Sequence, residues 1–489
     1  MIGKTILYFV ITIVSFLALY FIINAVKNRK KIDKKDKKEI KTMQLADIDR
    51  DDIATKLSNA VKIPTVSLTY DGSNKENFVA YHEYLEKTFP EFHKVAQKTV
   101  INNYSLIYYI EGEDKSLLPA GFLAHQDVVP AGDNWEVDPF AGEIKDDGYI
   151  YGRGTADMKN QMICVLNAIE TVLKRGDKLK RSIYCCFGHD EEPGGKEGAS
   201  NIVKYLKDKG VELEYVVDEG GIFLDGKMFS IDGKIALIGT CEKGYADIKI
   251  TAKVDGGHAS MPSKHTALGE LCDAVAKVEK YPTKAKFTQP VNDLFDTLVP
   301  HIQGPLKFVL GNRGLFGPVI KKVLMAKGMT AALMHTTMAP TMAQGSKAEN
   351  VIPNTATANI NCRIMPGESI ESTRAYIEKI VDNPNVEVKI GDYAVEPSEV
   401  SPRDSEAFKN LCETIKDVFP GYVPAPFLFV AGTDAKYYYD ICKNVFRFAP
   451  FELTDEDRNR IHSKNERCKV DDLVKACQFF VALIEKTCE

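Results

Sequence analysis

The chain has 489 residues, more than one small domain uses, with the 44% hydrophobic and 27% charged content of an ordinary folded protein. Lys and Arg number 63 against 68 Asp and Glu, so no basic excess points to nucleic acid as a partner. The 11 cysteines are odd in number, all lie after residue 163 and form no CxxC pair, which argues against a disulfide framework and a cysteine-based zinc cluster.

The first element is an uncharged run over 6–26. A helix of that length crosses ~30 Å of hydrocarbon, and its Ile-Ile-Asn-Ala-Val end is a poor cleavage site. The run reads as an uncleaved single-pass anchor in the lipid bilayer. Residues 27–43 form a lysine-rich linker. Its charge favours a cytoplasmic placement by the positive-inside rule; it also suits a solvated linker, or one drawn to anionic lipid.

Apolar runs at 121–124, 183–187 and 215–217 predict buried strands. Between the first two, Met162, Ile163, Val165, Leu166, Ile169, Val172 and Leu173 recur with helical periodicity, and Arg175-Gly176 supplies a stop. A second amphipathic segment covers 201–209. This alternation predicts an α/β fold with a mainly parallel sheet, its first part spanning 44–242. From 243 the pattern changes to half-exposed strands at 246–254, 356–364 and 386–390, with helices at 266–280 and 369–381. These imply an inserted α+β domain over 243–400, to which the resemblance described below adds a lid or dimerisation role, and in which 282–335 reads as irregular. The earlier style returns over 401–489, ending in a helix at 471–486.

Each predicted strand of the first part ends in a polar cluster: His125-Gln126-Asp127, then His189-Asp190-Glu191-Glu192, then Asp218-Glu219. Asp157 stands at the positive end of the central helix. Open α/β sheets bind ligands at the carboxyl ends of their strands. Taken singly, a strand-end histidine, a solvated Glu pair or a helix-capping Asp is unremarkable; together on one edge they would repel one another without a cation. Imidazole and carboxylate donors without thiolate suit Zn²⁺, or Mn²⁺ or Co²⁺.

His125-x-Asp127 with Val-Val-Pro, Tyr151-Gly-Arg-Gly-Thr-Ala-Asp157-Met-Lys, Asp190-Glu191-Glu192, Asp218-Glu-Gly-Gly and Ile461-His462-Ser-Lys-Asn465-Glu466 occur in that order. This series resembles the co-catalytic dizinc metallopeptidases: carboxypeptidase G, the acetylornithine and succinyl-diaminopimelate deacylases, and aminoacylase-1. The segment around Asn350 and the anchor look closest to the carboxypeptidase S branch, which includes N-acyl-amino-acid hydrolases. The resemblance implies two zinc ions, one held by His125, Asp157 and Asp218, the other by Asp157, Glu192 and His462. It implies Asp127 as acceptor of the free His125 imidazole proton and Glu191 as general base. It further implies His258 as a lid histidine stabilising the oxyanion, often from a partner subunit, and Arg363 as the grip on a substrate α-carboxylate. Asn350 and Gly432 are weaker substrate-binding candidates. The family's Asp-x-Arg is Asn361-x-Arg363 here, and its Gly-Gly-Thr-Asp is Ala431-Gly432-Thr433-Asp434, which bears on substrate preference rather than on the metal ligands.

The expected protein is therefore a membrane-anchored dizinc hydrolase of carboxypeptidase or dipeptidase type, acting on peptides and forming a homodimer through the inserted domain. One alternative is an N-acyl-amino-acid hydrolase or synthase. Another is a non-catalytic binding protein on the same fold.

Overall fold

The computed structural model describes residues 44–67 and 75–489. The expected anchor at 6–26 and linker at 27–43 lie outside the described residues.

The strand Ala120–His125 is buried at every position, as its unbroken apolar run requires. It runs parallel to Ile183–Gly188 on one side and to Tyr215–Asp218 on the other. Val445–Arg447 continues the parallel set beside Tyr215–Asp218. Outside this centre the sheet turns antiparallel. Ser105–Ile110 and Gln97–Ile101 form one edge, and Lys234–Glu242 pairs antiparallel with Val445–Arg447 before a parallel outer strand, Val423–Phe429. Ile222–Asp225 adds an antiparallel arm on Lys234–Glu242. The expectation of a mainly parallel sheet thus holds for its centre, while the nine-stranded sheet as a whole is mixed. Parallel centre strands bring their carboxyl ends to one edge: His125 lies opposite Gly188, and Asp218 opposite Arg447.

The central helix Lys159–Lys174 is buried on nearly every face, packed between this sheet and the final helix Val470–Cys488. Arg175 ends it, and Gly176 follows at φ 79°, a backbone that glycine takes without steric penalty.

A second sheet has the order Thr337–Gln344, Thr355–Ile364, Gly244–Lys253, Val386–Val395, all antiparallel. Ala246, Ile248, Ile250 and Ala252 alternate with exposed or half-buried neighbours, the period-two pattern of a one-sided sheet. The buried face meets the helices Ala267–Lys280 and Ile370–Val381, each started by a side-chain cap at Thr266 or Ser369.

The stretch expected to be irregular, 282–335, is instead largely helical: Gln289–Leu298, Pro305–Gly311, Arg313–Leu324 and Gly328–Ala331. Its prolines fall outside these helices or at their starts, except Pro318 inside Arg313–Leu324. Pro290 and Pro305 sit in first turns, where a missing N–H loses no bond. Val291, Leu294, Phe295 and Leu298 form a helical stripe packed on Ile235, Leu237, Val423 and Ala425, so these helices rest on the outer strands of the large sheet.

All eleven cysteines are free, and most are buried, as small hydrophobes in a core are.

Candidate metal centre and active site

Asp157 organises the edge. One carboxylate oxygen lies 3.0 Å from His125 Nε2 and the other 2.9 Å from His462 Nε2. His462 Nε2 is also 3.2 Å from Glu192 Oε2. The donor atoms of His125, Asp157 and Glu192 lie within 4.8 Å of one another, as do those of His125, Glu191 and Glu219. Two donor groups therefore share one histidine, and His462 closes the first of them from a residue 305 positions after Asp157. His462 stands at φ 60°, a left-handed conformation uncommon for a non-glycine residue and frequent at functional sites.

Asp127 sets the neighbouring backbone. Its carboxylate accepts the N–H groups of Glu191 (3.1 Å) and Glu192 (3.2 Å), while its own carbonyl lies 2.9 Å from His125 Nδ1. Its Oδ1 is farther from that nitrogen, at 3.4 Å. The expected imidazole acceptor is thus the Asp127 main chain first and its carboxylate second. Asp190 shapes the same loop by accepting the N–H groups of Glu197 and Gly198, each at 2.8 Å.

Asp218, expected as a metal ligand, is placed differently. Its Oδ2 accepts the Ala435 N–H at 2.8 Å, and the next residue, Glu219, brings Oε1 to 3.5 Å from His125 Nε2. Glu219 is the first residue beyond the strand Tyr215–Asp218, and of the two carboxylates it is the Glu219 one whose oxygen joins the donor group of His125 and Glu191. Glu219 belongs to the Asp218-Glu219 strand-end cluster, but the resemblance implies a ligand role for Asp218 alone.

Two more groupings carry no sequence-level role. Arg153 and Glu466, both buried, form an ion pair, and Glu466 Oε1 also accepts the N–H groups of Gly154 (3.0 Å), Ala156 (2.9 Å) and Asp157 (3.2 Å). This ties the loop bearing Asp157 to the loop bearing His462. Asp434 is buried with neither carboxylate oxygen hydrogen-bonded, close against Gly188 and Gly195, where a Cβ would collide with it.

The electrostatics describe a site built for positive charge. Burial opposes protonation of His125, yet hydrogen bonds to Asp127 and Asp157 and the charge of Glu219 hold its imidazole pKa well above the usual value. Hydrogen bonds to Asp157 and Glu192 push His462 up to about 10. Burial, with Glu192 and Asp157 adding like charge, pushes the Glu191 carboxyl up to about 8 against the pull of His125 and Lys436. Protons thus satisfy carboxylates that cations would otherwise satisfy. Glu192 Oε1 is buried and accepts no hydrogen bond, which leaves one oxygen of this carboxylate free to ligate a cation. The nitrogen and oxygen donor set, without sulfur, fits zinc-type ions.

Residues 121–486 match the model of peptidase family M20/M25/M40. The chain belongs to this family. It is 38% identical over 449 residues to the Xenopus tropicalis N-fatty-acyl-amino acid synthase/hydrolase PM20D1, covering 91% of this chain and 87% of that one. It is also 38% identical over 451 residues to a probable carboxypeptidase S-like 2 of Dictyostelium discoideum, covering 91% and 86%. Among solved structures, an M20 family metallo-carboxypeptidase from Sulfolobus solfataricus shares the fold, with a TM-score of 0.66 at 17% identity over 88% of this chain and 98% of that one. The M20 chain is accordingly a hydrolase, of metallopeptidase or amidohydrolase type, in the carboxypeptidase or N-acyl-amino-acid hydrolase class. The non-catalytic alternative loses its footing.

The residues expected on the substrate side fall in three places. Arg363 sits on Thr355–Ile364 opposite Tyr245, its guanidinium 4.8 Å from that ring, at the end of the small sheet where the chain enters from Lys243. Asn361 beside it donates to Asp247 (3.2 Å), so the departure from Asp-x-Arg is absorbed within the small sheet. His258 and Asn350 lie elsewhere, on a small two-stranded ribbon pairing His258 with Val351. The Asn350 carbonyl accepts the Ala259 N–H at 3.1 Å, so the two residues are neighbours. Both are exposed, and His258 Nδ1 bonds Ser260 (2.8 Å) rather than any member of the acidic cluster. Gly432 is exposed with open space around it, two residues before Asp434.

Proposed function

We propose that this M20 hydrolase is a dizinc enzyme cleaving the amide bond next to a free α-carboxylate, of carboxypeptidase or dipeptidase type. The observation that carries the reading is the sharing of Asp157 between His125 and His462, with Glu191 alongside. His125, Asp157 and Glu219 would hold one ion; Asp157, Glu192 and His462 the other. When bound, such a pair supplies Lewis-acid polarisation of the amide carbonyl and activation of water. Glu191, held by Asp127 through its backbone, accepts the proton from water and returns it to the departing nitrogen. Arg363 grips the substrate carboxylate with its two-pronged guanidinium. His258, exposed and bonded to Ser260 rather than to the cluster, is read as acting across a homodimer on the developing oxyanion.

The likeness to PM20D1 favours a second reading, in which the acyl group is a fatty acid and the same site makes or breaks N-acyl amino acids. Formation and hydrolysis share one transition state. Membrane anchoring through 6–26, with a cytoplasmic catalytic region, is proposed from sequence alone. A panel of a dipeptide, a longer peptide and a long-chain N-acyl amino acid separates the readings. Release from peptides alone supports the first, release from the N-acyl substrate alone the second, and no chelator-sensitive release from any of them refutes both.

A further inference from the structure

The helix Arg313–Leu324 buries Gly317 and Ile320 and turns Leu315, Val319 and Val323 outward, at 54%, 60% and 64% exposure. These positions are four residues apart and share one helix face. Met329 in Gly328–Ala331 is 78% exposed, and Phe308 in Pro305–Gly311 is 42% exposed with its ring 5.7 Å from Phe316. A surface helix ordinarily carries polar residues outward. Here the outward row is apolar, and the exposed Lys322 and Lys327 flank it.

The charge pattern is a separate observation. Between Asp296 and Glu349 the sequence has no acidic residue, in a chain that contains 68. The same interval carries Lys307, Arg313, Lys321, Lys322, Lys327 and Lys347, of which Arg313 pairs back to Asp296. The acid-free interval coincides with the helices that present the apolar row. Outward apolar side chains, flanking lysines and missing acids together make the composition of a helix lying in a lipid interface. Lysine next to anionic headgroups is attractive. A second copy of the chain is a poorer occupant, because a two-fold contact would bring this lysine-bearing face against itself.

We propose that the face formed by Phe308, Leu315, Val319, Val323 and Met329 docks on an anionic bilayer surface, with Lys322 and Lys327 at the headgroups. The face stands on its own residues. The expected anchor would strengthen docking, since a 17-residue linker reaches at most about 60 Å and holds the face at high local concentration.

The full chain carrying V319W is placed in phosphatidylserine-containing vesicles whose acyl chains are brominated; V79W, on the exposed helix position Val79, is the control, and Trp135 supplies a constant background. The emission added by V319W falls about twofold or more relative to unbrominated vesicles, while that added by V79W does not. K322E with K327E removes most of the quenching, and L315W repeats the result from a second position. Quenching at 319 no greater than at 79 overturns the proposal. So does shielding that grows with protein density and is blind to bromine, which would make a second copy the occupant. A chain that resists alkaline extraction from vesicles but shows no quenching keeps its anchor and loses this face. A quenched chain that alkali releases keeps the face and loses the anchor.

Discussion

Glu191 and Glu192 are adjacent, and the Asp127 carboxylate fixes both of their backbone N–H groups. Glu192 then faces His462, and Glu191 faces His125 and Glu219. Glu191→Ala should lower kcat by about 10²–10⁴-fold while leaving metal content unchanged, as measured by atomic emission on the purified variant; a loss of metal would make Glu191 a ligand instead. The placement of Glu219 gives a sharper comparison. Glu219→Ala should lose about half the bound metal, whereas Asp218→Asn should keep it, because Asp218 is committed to the Ala435 N–H. The reverse ranking would restore Asp218 as the ligand. The structure brings His125, Asp157, Glu192 and His462 together; the first three stand in polar clusters visible in the sequence, while His462 is reached only through the family resemblance. Which member of Asp218-Glu219 faces the site was not legible, because that depends on how the chain leaves the strand.

Loops are joined to one another here by buried charge. The Arg153–Glu466 pair links the turn before the central helix to the turn carrying His462, and both side chains are excluded from water. Removing one partner of a buried pair leaves the other charge uncompensated, so Arg153→Met should destabilise by about 3–5 kcal/mol in denaturant unfolding. An effect below ~1 kcal/mol would show the pair to be dispensable. Lys243 joins the two sheets and donates to the carbonyls of Ala332 (3.0 Å) and His335 (2.9 Å). Burial, with Arg363 nearby, holds its ammonium down to about 7 from an ordinary 10.5. Between those values the unfolded chain binds more protons than the folded one, so this group makes stability rise with pH across that window. Lys243→Met removes that contribution. The Tm difference between wild type and variant should therefore shift in favour of wild type from pH 7 to pH 10; a pH-independent difference would contradict it. At this scale the strands and long helices were readable from periodicity. The helices between Gln289 and Leu324 were not, since their frequent Pro and Gly resemble loop composition until the sheet they rest on is known.

Across the whole molecule, strand order departs from chain order: Val445–Arg447, from the last quarter of the chain, enters the sheet beside Tyr215–Asp218. No local pattern announces such pairing, which is why the mixed character of the sheet was not foreseen. The inserted sheet was legible because alternation changes abruptly near Lys243. The residues expected there to meet substrate divide between the junction, with Arg363, and the exposed ribbon, with His258 and Asn350. Arg363→Ala should raise KM about tenfold or more for substrates with a free carboxylate and change little for their carboxyl-amidated analogues; equal losses on both would remove Arg363 from carboxylate binding. The claim on which the rest depends is that one shared carboxylate organises two metal ions for amide hydrolysis. Counting metal per purified full-length chain while assaying the dipeptide and N-acyl amino acid tests it most directly. About two ions per chain, with turnover abolished by chelator and restored by zinc, is the result predicted from Asp157 lying between His125 and His462. Fewer than one ion per chain and no turnover after zinc addition would contradict it.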